Sequence, residues 1–199
     1  MILNDCRTNS NSNSNSNSNS NLLILVCCVS VRQRNNIALI GMAGVGKSHI
    51  AKKIATISHY EYMETDKLVA EQANKEGMRY HELSDDDFLR IEKDIFMNLS
   101  DLSGKIIDTG ASVIYDQDIM SKIAELAHII YIKDSIDVIV GRFNARGPVP
   151  LMGIEGKTFE QLFDERRPLY EKYAQSTVMR NSSHNNDAQL IANQILGEL

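Results

Sequence analysis

The segment Gly41-Met42-Ala43-Gly44-Val45-Gly46-Lys47-Ser48 has the spacing G-x-x-x-x-G-K-S, and its chemistry is phosphate binding. Gly41, Gly44, Val45 and Gly46 let the backbone close into a nest of N–H donors, which continues into Lys47, Ser48 and His49 at the start of a helix. Lys47 supplies a point charge, Ser48 a hydroxyl ligand for Mg²⁺, and His49 only its backbone N–H. The bland alternative is a Gly-rich turn kept for packing. A nucleoside triphosphate and magnesium follow from the motif, but the acceptor does not, because GTPases, motor ATPases and small-molecule kinases share it. There is no Asn-Lys-x-Asp element to read guanine, and no run of several apolar residues ending in an Asp-Glu pair. A compact kinase for a soluble acceptor survives.

Further along, Glu64-Thr65-Asp66 offers two carboxylates. Asp66 can orient an attacking hydroxyl and accept its proton, or it can simply cap the helix that begins there. Asp108 is either an outer magnesium group or the cap of the turn at Gly110. Arg166 can hold an acceptor carboxylate bidentately, or pair at the surface with its neighbours Asp164 and Glu165. Glu92 and Arg90 read as a solvated helix face, with Arg90 matched to Asp94 at i+4. The five histidines form no ligand cluster.

These groups need a scaffold, and the chain from Asn36 onward alternates short apolar runs with helix-period stretches, an α/β pattern. Strands are predicted at Ile37–Ile40, Tyr60–Met63, Ile106–Asp108, His128–Ile132 and Ser176–Met179. Helices are predicted from Lys47, from Asp66 to about Asn74, and from Asp85 to about Leu102, the last with Phe88, Ile91, Ile95, Leu99 and Leu102 on one stripe. Others are expected over Ser121–Ala127 and Asp134–Phe143. Thr158-x-x-Gln161 is a capping box opening a helix towards Tyr173, and Ala188 to Ile195 mark a last helix. The Gly/Pro-rich stretch 146–156 reads as a mobile lid.

Composition narrows the classes. The chain has 199 residues with a net charge of −5, enough for one domain and without the basic excess that a nucleic-acid partner requires. Cys6, Cys27 and Cys28 lie together near the N-terminus in no metal-ligand spacing, which fits a reducing compartment and a cytoplasmic location. Asn9 to Asn21 alternate Asn and Ser and read as disordered. The apolar run Leu22–Val31 is too short to span a bilayer, and RQR follows it where a secretory signal would place small residues. Residues 1–35 are therefore an extension, and 36–199 the folded domain.

Taken in order, several positions resemble the shikimate kinase family over essentially all of Asn36 to Leu199. They are the G-x-x-x-x-G-K-S loop after the first strand, Met63-Glu64-Thr65-Asp66 after the second, Phe88-x-x-x-Glu92, Ile106-Ile107-Asp108-Thr109-Gly110, Pro150-Leu151, and Arg166-Arg167-Pro168-Leu169-Tyr170-Glu171. The resemblance implies a three-layer P-loop kinase fold with a five-stranded parallel sheet, a helical substrate-binding insertion over about 67–102 and the lid. It implies transfer of the γ-phosphoryl group of ATP to a hydroxyl of shikimate, in aromatic amino acid biosynthesis, by a monomer with a small-molecule acceptor and no membrane partner. Asp66 matches the residue that acts on the acceptor hydroxyls, Arg166 an arginine for its carboxylate, Arg142 a nucleotide-side arginine, and Glu64, with Ser48, the magnesium position. Gly110 and Ala111 match the glycines that line the acceptor.

Three departures accompany the matches. Leu89 stands where the family has a carboxylate-binding arginine, with Arg90 the neighbouring candidate. Gly110-Ala111-Ser112 replaces a triple glycine. Val149 replaces the lid arginine, leaving Arg146 to bring that charge to the transferring phosphate. The alternatives are a kinase of the same fold for another small acceptor, and a nucleotide-binding protein that has lost turnover and serves a regulatory or partner-binding role.

Overall fold

The computed structural model describes residues 36–100, 102–145, 151–180 and 187–198. The expected extension at 1–35 and the lid residues 146–150, Arg146 among them, lie outside the described residues.

Five parallel strands form one sheet: β1 (Ile37–Ile40), β2 (Glu61–Glu64), β3 (Lys105–Asp108), β4 (His128–Lys133) and β5 (Ser176–Met179), in the order β2-β3-β1-β4-β5. The central strands are continuous apolar runs because both sheet faces are covered, and Ile37 to Ile40 are all buried. The helices are α1 (Lys47–Ser58), α2 (Thr65–Lys75), α3 (Asp85–Met97), α4 (Gln117–Leu126), α5 (Ile136–Ala145), α6 (Phe159–Tyr173) and α7 (Asp187–Glu198). Helix α1 packs on β2, β3 and α7, whereas α4 and α6 pack on β4. Right-handed crossovers put α1 on one face and α4 and α6 on the other, since the chain runs one way from β1 to β2 and the other way from β2 onward. The reversal places β1 mid-sheet, and ligands of such sheets bind beyond the carboxyl ends of the strands at that point.

Buried Asn36 ties down the opposite end. Its amide donates to the carbonyls of Leu102 (2.9 Å) and Leu126 (2.8 Å), and its Oδ1 accepts from the Lys105 N–H (2.9 Å). Helices α2 and α3 enclose a small core of their own, Val69, Ala73 and Ile91.

Element boundaries depart from expectation where side chains intervene. Strand β2 extends to Glu64, and α2 starts one residue before Asp66. Helix α3 ends at Met97 rather than near Leu102, with the Asn98 amide donating to the Asp94 carbonyl at 2.8 Å and closing the last turn. Helix α4 starts four residues before Ser121, because Asp116 caps it by accepting from the N–H groups of Asp118 and Ile119. The capping box at Thr158 and Gln161 is present in both directions.

Candidate active site

The β1–α1 loop enters its helix through Gly46 at φ 97°, ψ 26°, a left-handed conformation that suits glycine. Gly41 is held more tightly still: a Cβ there would stand 2.6 Å from the Ile132 carbonyl oxygen. No side chain caps α1, and its first intrahelical bond runs from the Ile50 N–H to the Gly46 carbonyl. The N–H groups of Ser48 and His49 therefore have no partner within the helix, at the end whose dipole favours anions. Lys47 is buried and donates to the Gly41 carbonyl at 2.8 Å.

Two arginines brace this loop. Arg142 on α5 donates to Asp134 at 2.9 Å and to the Val45 carbonyl at 3.4 Å. Arg180, directly after β5, donates to the same carbonyl at 2.7 Å and grips Asp187 with Nε and Nη2. Its guanidinium covers Gly46, where a Cβ would lie 1.7 Å from Nη1. Arg180 was not anticipated from sequence; its signal was a cation immediately beyond a sheet strand, the position where this fold class gathers its ligand contacts.

A cavity of about 660 Å³ opens over the loop and runs from Gly46, Lys47, Ser48, His49 and Arg142 to Glu64, Asp66, Gly110, Ala111 and Arg166. Its size suits a small-molecule site. Glu64 and Asp108 are register partners on β2 and β3, so the sheet sets both carboxylates side by side at its carboxyl edge. Asp108 accepts from the Tyr62 hydroxyl at 2.8 Å, and burial followed by the Asp108 charge pushes the Tyr62 phenol far above its ordinary range, keeping it a donor. The Gly110 N–H goes to the Thr65 hydroxyl at 3.1 Å, so Asp108 does not cap that turn.

Asp66 is the second residue of α2, and no side chain caps that helix, so helix capping does not account for it. Burial raises its carboxyl against the opposing charge of Lys47, and its Oδ1 is buried without a partner. Ala111 needs no left-handed backbone, His59 being the one non-glycine with positive φ among the described residues; its carbonyl accepts from Tyr170 at 2.6 Å.

Arg166 is fully buried, and its acidic neighbours pair elsewhere, Asp164 with Arg167 and Glu165 with Lys157. Its Nε donates to the Tyr115 hydroxyl (3.1 Å) and its Nη2 to the Met152 carbonyl (2.6 Å). The described lid residues are thereby joined to the site, and the Gly153 N–H reaches Asp85 at the start of α3 (3.1 Å).

Two expectations for α3 are corrected. Arg90 does not serve the acceptor pocket: it is 46% exposed and pairs with Glu76, Asp87 and Asp94, two residues and so about 200° around the helix from Phe88, which lines the cavity. Glu92 is no solvated residue; it is fully buried, both its oxygens lack partners, and burial, reinforced by the charges of Asp66 and Asp116, pushes its carboxyl up to about 8. Its sequence signal was position, since Glu92 lies four residues from both Phe88 and Phe96 on the inward stripe.

The family model for shikimate kinase matches residues 43–199, most of the chain. The chain belongs to the shikimate kinase family. Curated shikimate kinases of Shewanella denitrificans and Shewanella loihica are 26% and 27% identical over 170 residues, each match covering 84% of this chain and 98% of the relative. Among solved structures, the fold is similar to that of shikimate kinase from Acinetobacter baumannii in complex with shikimate, with a TM-score of 0.69 at 19% identity over 85% of this chain and 94% of that one. Shikimate kinase from Bacteroides thetaiotaomicron gives a TM-score of 0.65 at 18% identity, over 82% and 98%. Among the described residues, no helix is long and apolar enough to cross a membrane.

Proposed function

We propose that the chain transfers the γ-phosphoryl group of ATP to a hydroxyl of shikimate. The observation that carries this reading is that one cavity joins the uncapped, glycine-built start of α1 to Asp66 and Arg166. Phosphoryl transfer asks mainly for positioning and charge neutralisation, and the cavity has groups for both. The loop N–H groups and Lys47 hold the phosphates, and Arg142 stands at the nucleotide side. Asp66 orients the acceptor hydroxyl and takes its proton as the new oxygen–phosphorus bond forms and the bond to the β-phosphate oxygen breaks. Gly110, Ala111 and Arg166 shape the acceptor side, and Arg146 brings a lid charge.

The residues fit magnesium: Ser48 and Glu64 both line the cavity, and both are oxygen donors suited to a hard cation. Ser48 and Glu64 would hold it; when bound it neutralises charge on the phosphates. The enzyme works as a cytoplasmic monomer on a small soluble acceptor, with no nucleic-acid or membrane partner. Shikimate-dependent ADP release by the purified chain tests the reading, with Lys47→Ala as control. Release that is the same with and without shikimate contradicts it.

A further inference from the structure

The link between α2 and α3 puts a tyrosine into the wall of the cavity. Tyr80 opens the short 3-10 helix Tyr80–Glu82, and it lines the cavity together with Asp66, Leu83 and Phe88. Its ring is fixed by packing. It lies against the small core of Val69, Ala73 and Ile91, and it meets the Phe88 ring edge-on with centroids 6.1 Å apart at 65°. Phenylalanine would make those contacts equally well, so packing accounts for the ring and leaves the hydroxyl unexplained. Among the described residues that hydroxyl has no hydrogen-bond partner.

The surroundings define what the hydroxyl can do. Burial, followed by the charges of Asp66, Glu92 and Glu64, holds the Tyr80 phenol well above its ordinary range, so it keeps its proton and stays a donor. Asp66 and Glu64, when ionised, only accept. A hydroxyl on a ring held at Asp66 both donates and accepts, and a second carboxylate cannot supply the donor that its lone pairs call for. Tyr80 is a neutral donor on the same stretch of wall. Donation to the attacking oxygen itself would occupy electrons needed for the bond to phosphorus, which leaves a neighbouring hydroxyl as the better partner.

We propose that Tyr80 determines acceptor specificity, its hydroxyl donating to a ring hydroxyl of the acceptor next to the one that Asp66 orients. This rests on the phosphoryl transfer proposed above and adds a contact to its acceptor.

Tyr80→Phe removes the hydroxyl and keeps the ring. Calorimetry gives Kd for shikimate, and for each of its analogues lacking one ring hydroxyl, on wild type and variant saturated with a non-hydrolysable ATP analogue. The variant should bind shikimate roughly three- to tenfold more weakly, the loss of one neutral hydrogen bond, with kcat changed by no more than about twofold. For one analogue, and one that still accepts phosphate, the two proteins should bind equally, because the partner of Tyr80 is gone from both sides of the comparison. Unaltered binding of shikimate overturns the proposal. So does an equal loss for shikimate and every analogue, which a purely structural role would give, or equal binding only for the analogue that no longer accepts phosphate. An unchanged Kd for the ATP analogue shows that the variant is folded; if that Kd is lost, Tyr80→Leu is read by the same criteria. Wild type that neither binds nor phosphorylates shikimate marks failure of the underlying reading and takes the proposal with it, whereas a variant that matches an active wild type is failure of the proposal alone.

Discussion

Glu92→Gln isolates the energetic cost of a carboxyl buried without partners. The Glu92 carboxyl is raised from an ordinary value of 4.5 to about 8, chiefly by burial. Between those values the folded protein holds a proton that the unfolded chain has released. The folded state therefore binds more protons there, and stability falls as pH rises from 4.5 to about 8, with no further loss above. At one pKa unit per roughly 1.4 kcal/mol, the whole window amounts to about 5 kcal/mol. Glutamine keeps the shape and cannot ionise, so it removes this slope. Other carboxyls, such as Asp116 and Asp187, shift the opposite way and lose their contribution in acid, which makes the difference between wild type and variant the informative quantity. Urea unfolding of both proteins at pH 5, 6.5 and 8 should show the variant gaining on wild type by several kcal/mol as pH rises. A difference that stays flat, or shrinks, refutes the reasoning that Glu92 is buried and uncompensated.

Three substitutions probe the cavity and the side chains that support it. Gly110→Ala places a methyl 2.8 Å from Asp66 Oδ1 and 3.0 Å from Glu92 Oε1; displacing Asp66 should lower kcat/KM for the acceptor by about 10² while calorimetry shows an unchanged Kd for ATP. Arg180→Met removes the donor to the Val45 carbonyl and the partner of Asp187, and should weaken ATP binding by about tenfold, a loss of one hydrogen bond to a charged group. Tyr115→Phe strips Arg166 Nε of its partner and should raise KM for the acceptor severalfold, with kcat changed less, in steady-state kinetics.

The sheet and the phosphate loop were legible in sequence because local signals specify them. Ile37–Ile40 and Ile129–Ile132 are continuous apolar runs, and the loop Gly41-Met42-Ala43-Gly44-Val45-Gly46-Lys47-Ser48 follows the first of them directly. The capping box at Thr158 and Gln161 is equally local. The acceptor side was harder to read, because its character comes from contacts between distant segments. Asp164 and Glu165 suggest a surface role for Arg166, yet the side chain falls on the buried stripe of Leu162, Phe163 and Tyr170 and meets Tyr115 and Met152 from elsewhere in the chain. Glu92 shares its stripe with Phe88 and Phe96, and what burial does to it depends on Asp66 of α2 and Asp116 before α4. Charge type alone pointed to solvent at both positions; helical phase pointed inward, and phase was right.

The central claim is that the γ-phosphoryl group reaches a hydroxyl of the acceptor. Phosphorus NMR of a reaction containing the purified chain, ATP, magnesium and shikimate tests it most directly. The account predicts a phosphate monoester signal that grows as ATP is consumed, is absent without shikimate, and is lost in Lys47→Ala and Asp66→Asn. Inorganic phosphate as the sole new signal, unchanged by shikimate, would contradict it.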